Sequence, residues 1–240
     1  MPSTRGDLIR TSPHLADEVA VELLLEAGAV LATSLDVTTT LTQVARLTIP
    51  RLADLCVIDL RDEDGSIRKF AVAAADERIA RGLEEMRRRS PVDPDGQHPV
   101  ARVIRSGEPQ LLSEMSSTRL RGFAQSLDHA SFMIENDYRS AVVSPLLARG
   151  RTLGALSLLR LGDCEPYGGE DLELGGELAR RAALAIDNAS LFSDLRRVEQ
   201  RLEAILANLG RRSRWRTRAD RPSSPTGPLP SSSDWPRPAS

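Results

Sequence analysis

The chain has 240 residues, 40% of them hydrophobic and only 3% aromatic. That supports one sizeable core packed from Leu, Val, Ile and Ala, and falls short of two full domains. Its 32 basic and 34 acidic residues nearly cancel, which excludes a general electrostatic case for nucleic acid or an anionic membrane. Cys56 and Cys164 are the two cysteines, too few for a disulfide framework or a metal cluster. Lys69 is the single lysine, a bias that GC-rich coding explains. No run approaches the roughly 18–20 apolar residues of a spanning helix. Met1–Glu18 also lacks the apolar stretch of a secretion signal, so the expected setting is cytoplasmic and soluble.

Residues 1–13 are polar and carry Pro2, Gly6 and Pro13, which predicts a disordered arm. From Leu15 the pattern turns helical, with Val19, Leu23, Leu24, Ala27, Val30 and Leu31 following at helical steps. Asp36 is the expected N-cap of a second helix, which carries Leu41, Val44, Ala45 and Leu47 and stops before Pro50. A buried strand is predicted over Asp54–Leu60, a turn over Asp62–Gly65 and a second strand over Ile67–Ala73, the pattern of a hairpin closed by Asp-Gly.

Glu77–Arg89 reads as a highly charged helix, Ser90–Gly96 as a loop, Val100–Arg105 as a short helix ended by Gly107, and Pro109–Leu112 as a short strand. Leu120–Asn136 is a less regular helical region. It leads into two apolar strands, Ser140–Leu147 and Leu153–Leu161, joined by the turn Ala148–Thr152, where Gly150 can supply a positive φ. Both faces of these strands are apolar, so they are expected in the middle of the sheet. Strands paired by tight turns, with helices gathered between the pairs, predict an α+β domain with an antiparallel sheet of about five to six strands.

After the turn-rich stretch Gly162–Gly169 a long helix is expected from about Glu170. Its later part carries Leu184, Asn188, Leu191, Leu195, Val198, Leu202, Ile205 and Leu209 at alternating spacings of three and four. This is a coiled-coil seam, and Asn188 in it is the kind of polar residue that sets register in parallel dimers. A homodimer is therefore expected. At Gly210 the pattern is lost, and the Arg/Ser/Pro-rich residues 210–240 lack the apolar content to fold, which predicts a disordered tail.

Pieces in this order resemble the GAF domain, a small-molecule-sensing and dimerising module of bacterial signalling proteins. The likeness is carried by Leu52–Leu60, Arg139–Leu146, the hairpin Arg149–Leu158, and the closing helix with Asp171–Leu174 and Glu177–Ala189. It places the domain at 14–195, followed by a coiled-coil signalling helix over 196–209. It implies a non-catalytic sensory or regulatory role within two-component or related signalling. Expected partners are a small-molecule ligand and an output domain such as a histidine kinase or a sigma-factor-regulating phosphatase. Glu199–Leu209 looks like the linker that enters a PAS domain in such proteins. An out-of-frame reading of a GC-rich gene after Gly210 is one origin consistent with the composition of the tail, and the output domain is expected to be absent from this chain.

By the same resemblance a ligand would lie between the sheet and one helical layer, walled by Leu120–Tyr138 and Ser140–Leu146. The polar side chains suited to orient it are Tyr138, Arg139, Ser140, Ser144 and Ser157, with Arg139 able to clamp a carboxylate or phosphate. The plainer roles are helix capping or pairing with Asp137 for Arg139, and small strand residues for the serines.

His129 has the chemistry of a haem ligand or pH sensor, but a partly exposed helix histidine is the expected reading. His14 and His98 fall in presumed loops without a second ligand, so no metal site is expected. Cys56 reads as a small buried hydrophobe, and the acidic neighbours of Cys164 argue against a reactive thiolate. Neither cysteine matches the bilin-attaching or sulfoxide-reducing arrangements of GAF relatives. Glycine-rich phosphate loops, nucleophile elbows and kinase catalytic loops are also missing, so no enzyme is expected. The competing functional readings are a purely structural dimerisation module, or nucleic-acid or acidic-surface binding through Arg211–Arg221, for which no folded reader is evident.

Overall fold

The computed structural model of the chain describes residues 13–33 and 36–219. It divides into two units, Met1–Phe192 and Ser193–Ser240. Apart from Pro13, the expected N-terminal arm lies outside the described residues, as does the tail from residue 220 onward.

The first unit is built on one antiparallel sheet, as the α+β reading expects. Its strands are β1 (Leu55–Arg61), β2 (Ile67–Ala74), β3 (Gln110–Leu112), β4 (Tyr138–Ala148) and β5 (Arg151–Leu161), in the order β2-β1-β5-β4-β3. Turn chemistry sets the two hairpins. Between β1 and β2, Gly65 takes a φ of 86°, and Asp64 accepts a hydrogen bond from the Ser66 amide. Arg68 grips Asp62 with two 3.0 Å hydrogen bonds across the base of that turn. Between β4 and β5 the two-residue loop Arg149–Gly150 has both φ values positive, 48° and 73°, the requirement of the hairpin turn that matches strand twist. Arg149 is held there by a 2.6 Å ion pair to Asp187.

Because successive strand residues point to opposite faces, this sheet feeds two separate cores. One face carries Cys56, Ile58, Val142, Leu156 and Leu158. It is covered by α1 (Pro13–Thr33), α2 (Val37–Leu47) and the first part of α7 (Gly169–Ala219), through residues such as Leu23, Leu41 and Leu178. Asp36 caps α2 as expected, accepting from the Thr38 amide at 3.1 Å. The other face carries Leu55, Val57, Ala141 and Leu159, with Val143 and Ala155 beside them. Above it lie α3 (Glu77–Arg89), α4 (Pro99–Ser106), α5 (Ser117–Phe123) and α6 (Leu127–Glu135). The irregular helical region foreseen over 120–136 is thus two helices. Each fully buried Leu contributes roughly 1.5–3 kcal/mol, so two-sided burial is what stabilises the sheet.

Two details position the site. Gly107 ends α4 in the left-handed region at φ 70°, where glycine has no steric penalty. Tyr138 pairs with Leu161 and Ser140 with Arg160, so Arg139 is an extra residue that bulges from β4.

The described part of the second unit is the continuation of α7, which runs on through Gly210 to Ala219. The sequence pattern ends the helix at Leu209, and the backbone carries it further. Among the described residues no helix is long and apolar enough to cross a membrane.

A Cβ on Gly154 of β5 would collide with the Asp59 carbonyl and sit 3.0 Å from the Leu60 Cα of β1, whereas one on Gly168 would meet open space. Gly154→Ala should therefore cost about 2 kcal/mol or more in urea unfolding. Gly168→Ala should stay within about 0.5 kcal/mol of the parent.

Candidate functional site

Between the sheet and the α3–α6 layer lies a cavity of about 50 Å³. Val57, Ala141, Val143, Ser157 and Leu159 of the sheet form its floor. Leu83 and Arg87 of α3 and Met133 of α6 form much of its cover, closed at the sides by Met115, Phe123 and Tyr138. A mostly apolar enclosure with a few inward polar groups is the usual construction of a small-molecule site.

Arg87 dominates its electrostatics. The apolar stripe of α3 runs through Leu83 and Met86, and Arg87 lies one turn beyond Leu83 on that stripe. Its side chain is only 8% exposed. Nη2 reaches Oδ2 of Asp59 at 3.5 Å, and Asp59 is 1% exposed in the middle of β1. Nε and Nη1 of Arg87 have no hydrogen-bond partner among the described residues. A buried donor left this way costs roughly 1–3 kcal/mol, more when charged, so the fold maintains the arrangement against a penalty.

Two imidazoles stand beside this guanidinium. His98 caps α4, its Nδ1 accepting from the Val100 amide at 3.3 Å. His129, on the first turn of α6, accepts from the Gln125 amide at Nδ1, 3.2 Å away. The rings stack with centroids 5.6 Å apart. Accepting at Nδ1 places the proton of each neutral ring on Nε2. Burial, reinforced by Arg87, depresses both basicities: His98 falls well below the ordinary value and His129 to about 4. Polar ties hold this side of the cavity together. Ser90 donates to Ser126 at 2.9 Å, Ser126 accepts from the His129 amide at 3.1 Å, and Gln125 accepts from the Asp93 amide at 2.9 Å.

The candidate ligand residues separate. Tyr138 and Ser157 line the cavity; Ser157 Oγ is buried without a partner, and burial raises the Tyr138 hydroxyl pKa. Arg139, Ser140 and Ser144 do not line it. Arg139 is the bulged residue, and its side chain is exposed while its carbonyl accepts from the Met115 amide at 3.0 Å. Strand alternation turns Ser140 and Ser144 to the opposite face. Ser140 Oγ accepts from the Tyr167 amide at 3.2 Å, and Ser144 packs where Gly175 brings α7 against β4.

His129 also differs from the expectation of a partly exposed helix residue: it is 2% exposed. Cys56 is fully buried on the α7 side, its thiol pushed up to about 12 by burial, and Cys164 donates weakly to Asp54 at 3.6 Å. Sequence reasoning missed Arg87, Asp59 and His98. A signal existed for the first two: a carboxylate inside an apolar strand, and an arginine on the apolar stripe of a helix. Among the described residues no group of three or more His, Cys, Asp or Glu is placed to hold a metal.

Of the seam residues, Leu184, Asn188 and Leu191 are exposed in the first unit, and Leu195, Val198 and Leu202 in the second. Ile205 and Leu209 lie on α7 with side chains outside the described set.

A sheet covered on both faces, with a cavity under one helical layer, defines a class of small regulatory domains. The GAF domain family model matches residues 26–186, and the chain belongs to that family. Solved structures agree on the fold. The GAF domain of an Acinetobacter phosphoenolpyruvate-protein phosphotransferase superposes with a TM-score of 0.55 at 14% identity, covering 71% of this chain and 94% of that one. A GAF domain of a putative sensor histidine kinase from Pseudomonas syringae pv. tomato gives 0.50 at 17%, covering 76% and 96%. The free methionine-R-sulfoxide reductase of Neisseria meningitidis, solved with its substrate, gives 0.52 at 16%, covering 72% and 90%. No curated protein matches the chain. GAF domains are generally regulatory, and the reductase shows that the fold also hosts an enzyme.

Asp59→Leu should leave the Arg87 guanidinium buried without its counter-ion and cost about 3–5 kcal/mol in urea unfolding. Asp59→Leu/Arg87→Leu should recover much of that loss, a coupling read from the double-mutant cycle. Stability should also fall on acidification. Both histidines bind protons more weakly folded than unfolded, so their contribution is complete above about pH 6.5 and is lost as pH drops toward 4. Unfolding at pH 7 and pH 5 should show a smaller decline for His129→Gln than for the parent, with roughly 1.4 kcal/mol per proton per pH unit as the ceiling.

Proposed function

We propose that this chain is a non-catalytic sensory module of bacterial signal transduction, which binds a small molecule in the cavity under α3 and α6. The observation that carries this reading is an enclosed apolar space into which a few buried polar side chains converge. A cysteine-based redox role lacks support, because neither Cys56 nor Cys164 is among the cavity-lining residues. α7 is the natural output element. It packs on the opposite face of the same sheet and carries a row of exposed apolar residues at coiled-coil spacing. Occupancy of the cavity biases the packing of α7, and a homodimer formed along Leu184–Leu209 passes that bias to an output partner such as a histidine kinase or phosphatase. Purely structural dimerisation is the other reading, favoured by the seam and by the small volume of the cavity, about 50 Å³ against the several hundred usual for a ligand pocket.

Native mass spectrometry of the protein from its own host should find a retained small-molecule mass that disappears in Ala141→Phe, which fills the cavity. A protein that carries no ligand, and whose melting temperature no host metabolite fraction moves, would leave only the dimerisation reading. Leu195→Asp/Leu202→Asp should sediment as a monomer; an unchanged oligomer would remove the seam.

A further inference from the structure

We infer that the ligand is a small oxyanion of single charge, of the size of acetate or nitrate, held by Arg87 with His98, His129 and Ser157. This rests on the reading of the cavity as a ligand site and assigns that ligand its chemistry.

The argument begins with what the wall can offer. Asp59 is absent from the cavity-lining residues, so the lone ionised group at the wall is Arg87. Asp59 occupies Nη2 and thereby orients the guanidinium, while Nε and Nη1 remain as donors without acceptors. A guanidinium cannot give up its proton under ordinary conditions and has no acceptor capacity, so only an acceptor satisfies it. The two imidazoles point to the same chemistry. Each has committed Nδ1 to a backbone amide, which leaves Nε2–H as the group it can present. Ser157 adds a buried hydroxyl without a partner. Every uncommitted nitrogen of the cluster is a donor, and the complement of a donor set around one cation is an anion rich in acceptor oxygens.

Size narrows the class. At about 50 Å³ the cavity is well below the ~150 Å³ that accepts a six-carbon ring, which limits any ligand to a few non-hydrogen atoms. That admits a two-carbon carboxylate or nitrate and excludes nucleotides, tetrapyrroles and amino acids with long side chains. Single charge is the upper limit: Arg87 is already paired with Asp59 and both imidazoles are neutral. A monoanion is therefore held by donor hydrogen bonds rather than by an unmatched cation, and a dianion would add a further unbalanced charge. The apolar walls contributed by Leu83, Met133 and Leu159 raise the strength of each charged contact and raise equally the cost of a second, uncompensated charge.

The test is calorimetric titration of the full chain with sodium acetate, sodium nitrate and the neutral isostere acetamide at matched ionic strength. It is read alongside the ¹H–¹⁵N signals of the His98 and His129 rings. Saturable binding of acetate or nitrate, with shifts of both ring signals and no response to acetamide, is the expected result; the tighter of the two anions assigns an organic or an inorganic source. Arg87→Met should weaken that binding at least tenfold. Because Arg87→Met leaves Asp59 buried without its counter-ion and so weakens the fold, Ser157→Ala and His129→Asn provide independent checks, each expected to weaken binding several-fold in a protein with native-like melting. Acetamide binding as tightly as acetate would overturn the anion assignment while leaving a ligand cavity in place. If none of the three compounds binds or shifts a ring signal, the anion assignment is refuted, while the ligand cavity itself is decided by the native mass spectrometry and metabolite melting test above.

Discussion

A sheet buried on both faces imposes one constraint on everything else here: each strand must supply two cores at once, residue by residue. Along β4, Val142 faces α1, α2 and α7, while Ala141 and Val143 face the cavity layer. Along β5, Leu156 and Leu158 take the first side, and Ser157 and Leu159 the second. Water reaches neither face, so every polar side chain on these strands needs a partner or a purpose. Ser140 has one, the Tyr167 amide. Among the described residues Ser144, Ser157 and Arg87 lack one; Ser157 and Arg87 border the cavity, whereas Ser144 lies on the opposite face against α7.

The loop from β5 into α7 shows the same economy of polar contacts on the other face. The Tyr167 hydroxyl donates to the Leu52 carbonyl at 2.8 Å, and its ring lies 4.0 Å from the Arg160 guanidinium. Arg160 in turn pairs with Asp171 in the first turn of α7 at 3.1 Å. Further along, Glu177 bonds both Arg180 and Arg181, which holds its carboxyl down at about 2. The start of α7 is therefore tied to β5 through Arg160 and Asp171, and the loop ahead of it to the segment before β1 through Tyr167 and Leu52.

Much of the fold was legible in the residues. Apolar, β-rich runs, the Asp-Gly turn and Gly150 locate the hairpins, and Asp36 and Gly107 mark helix ends, because turn and cap chemistry is local. The site was less legible. Ser140, Ser144 and Ser157 look alike as small polar strand residues, and only register separates them into two faces. The bulge at Arg139 shifts that register by one, bringing Tyr138 and Ala141 to the same side and turning the arginine outward. Arg87 was hidden by its neighbours: in the run Arg87–Arg89 all three read as a solvated face, yet Arg88 and Arg89 pair with Glu85 while Arg87 enters the core. His98 and His129 are thirty-one positions apart by their numbers and meet only when the loop before α4 folds over α6. No period or motif records such a meeting.

Gly175 and Ser144 give the arrangement a last consequence. A Cβ on Gly175 would lie 2.8 Å from Val142 and 3.5 Å from the Ser144 oxygen, so the helix backbone rests almost directly on β4. Val143, between those two residues, forms part of the cavity floor. Cavity floor and helix seat are thus two sides of one strand, and Gly175 cannot be enlarged without displacing the Val142 side chain beneath it.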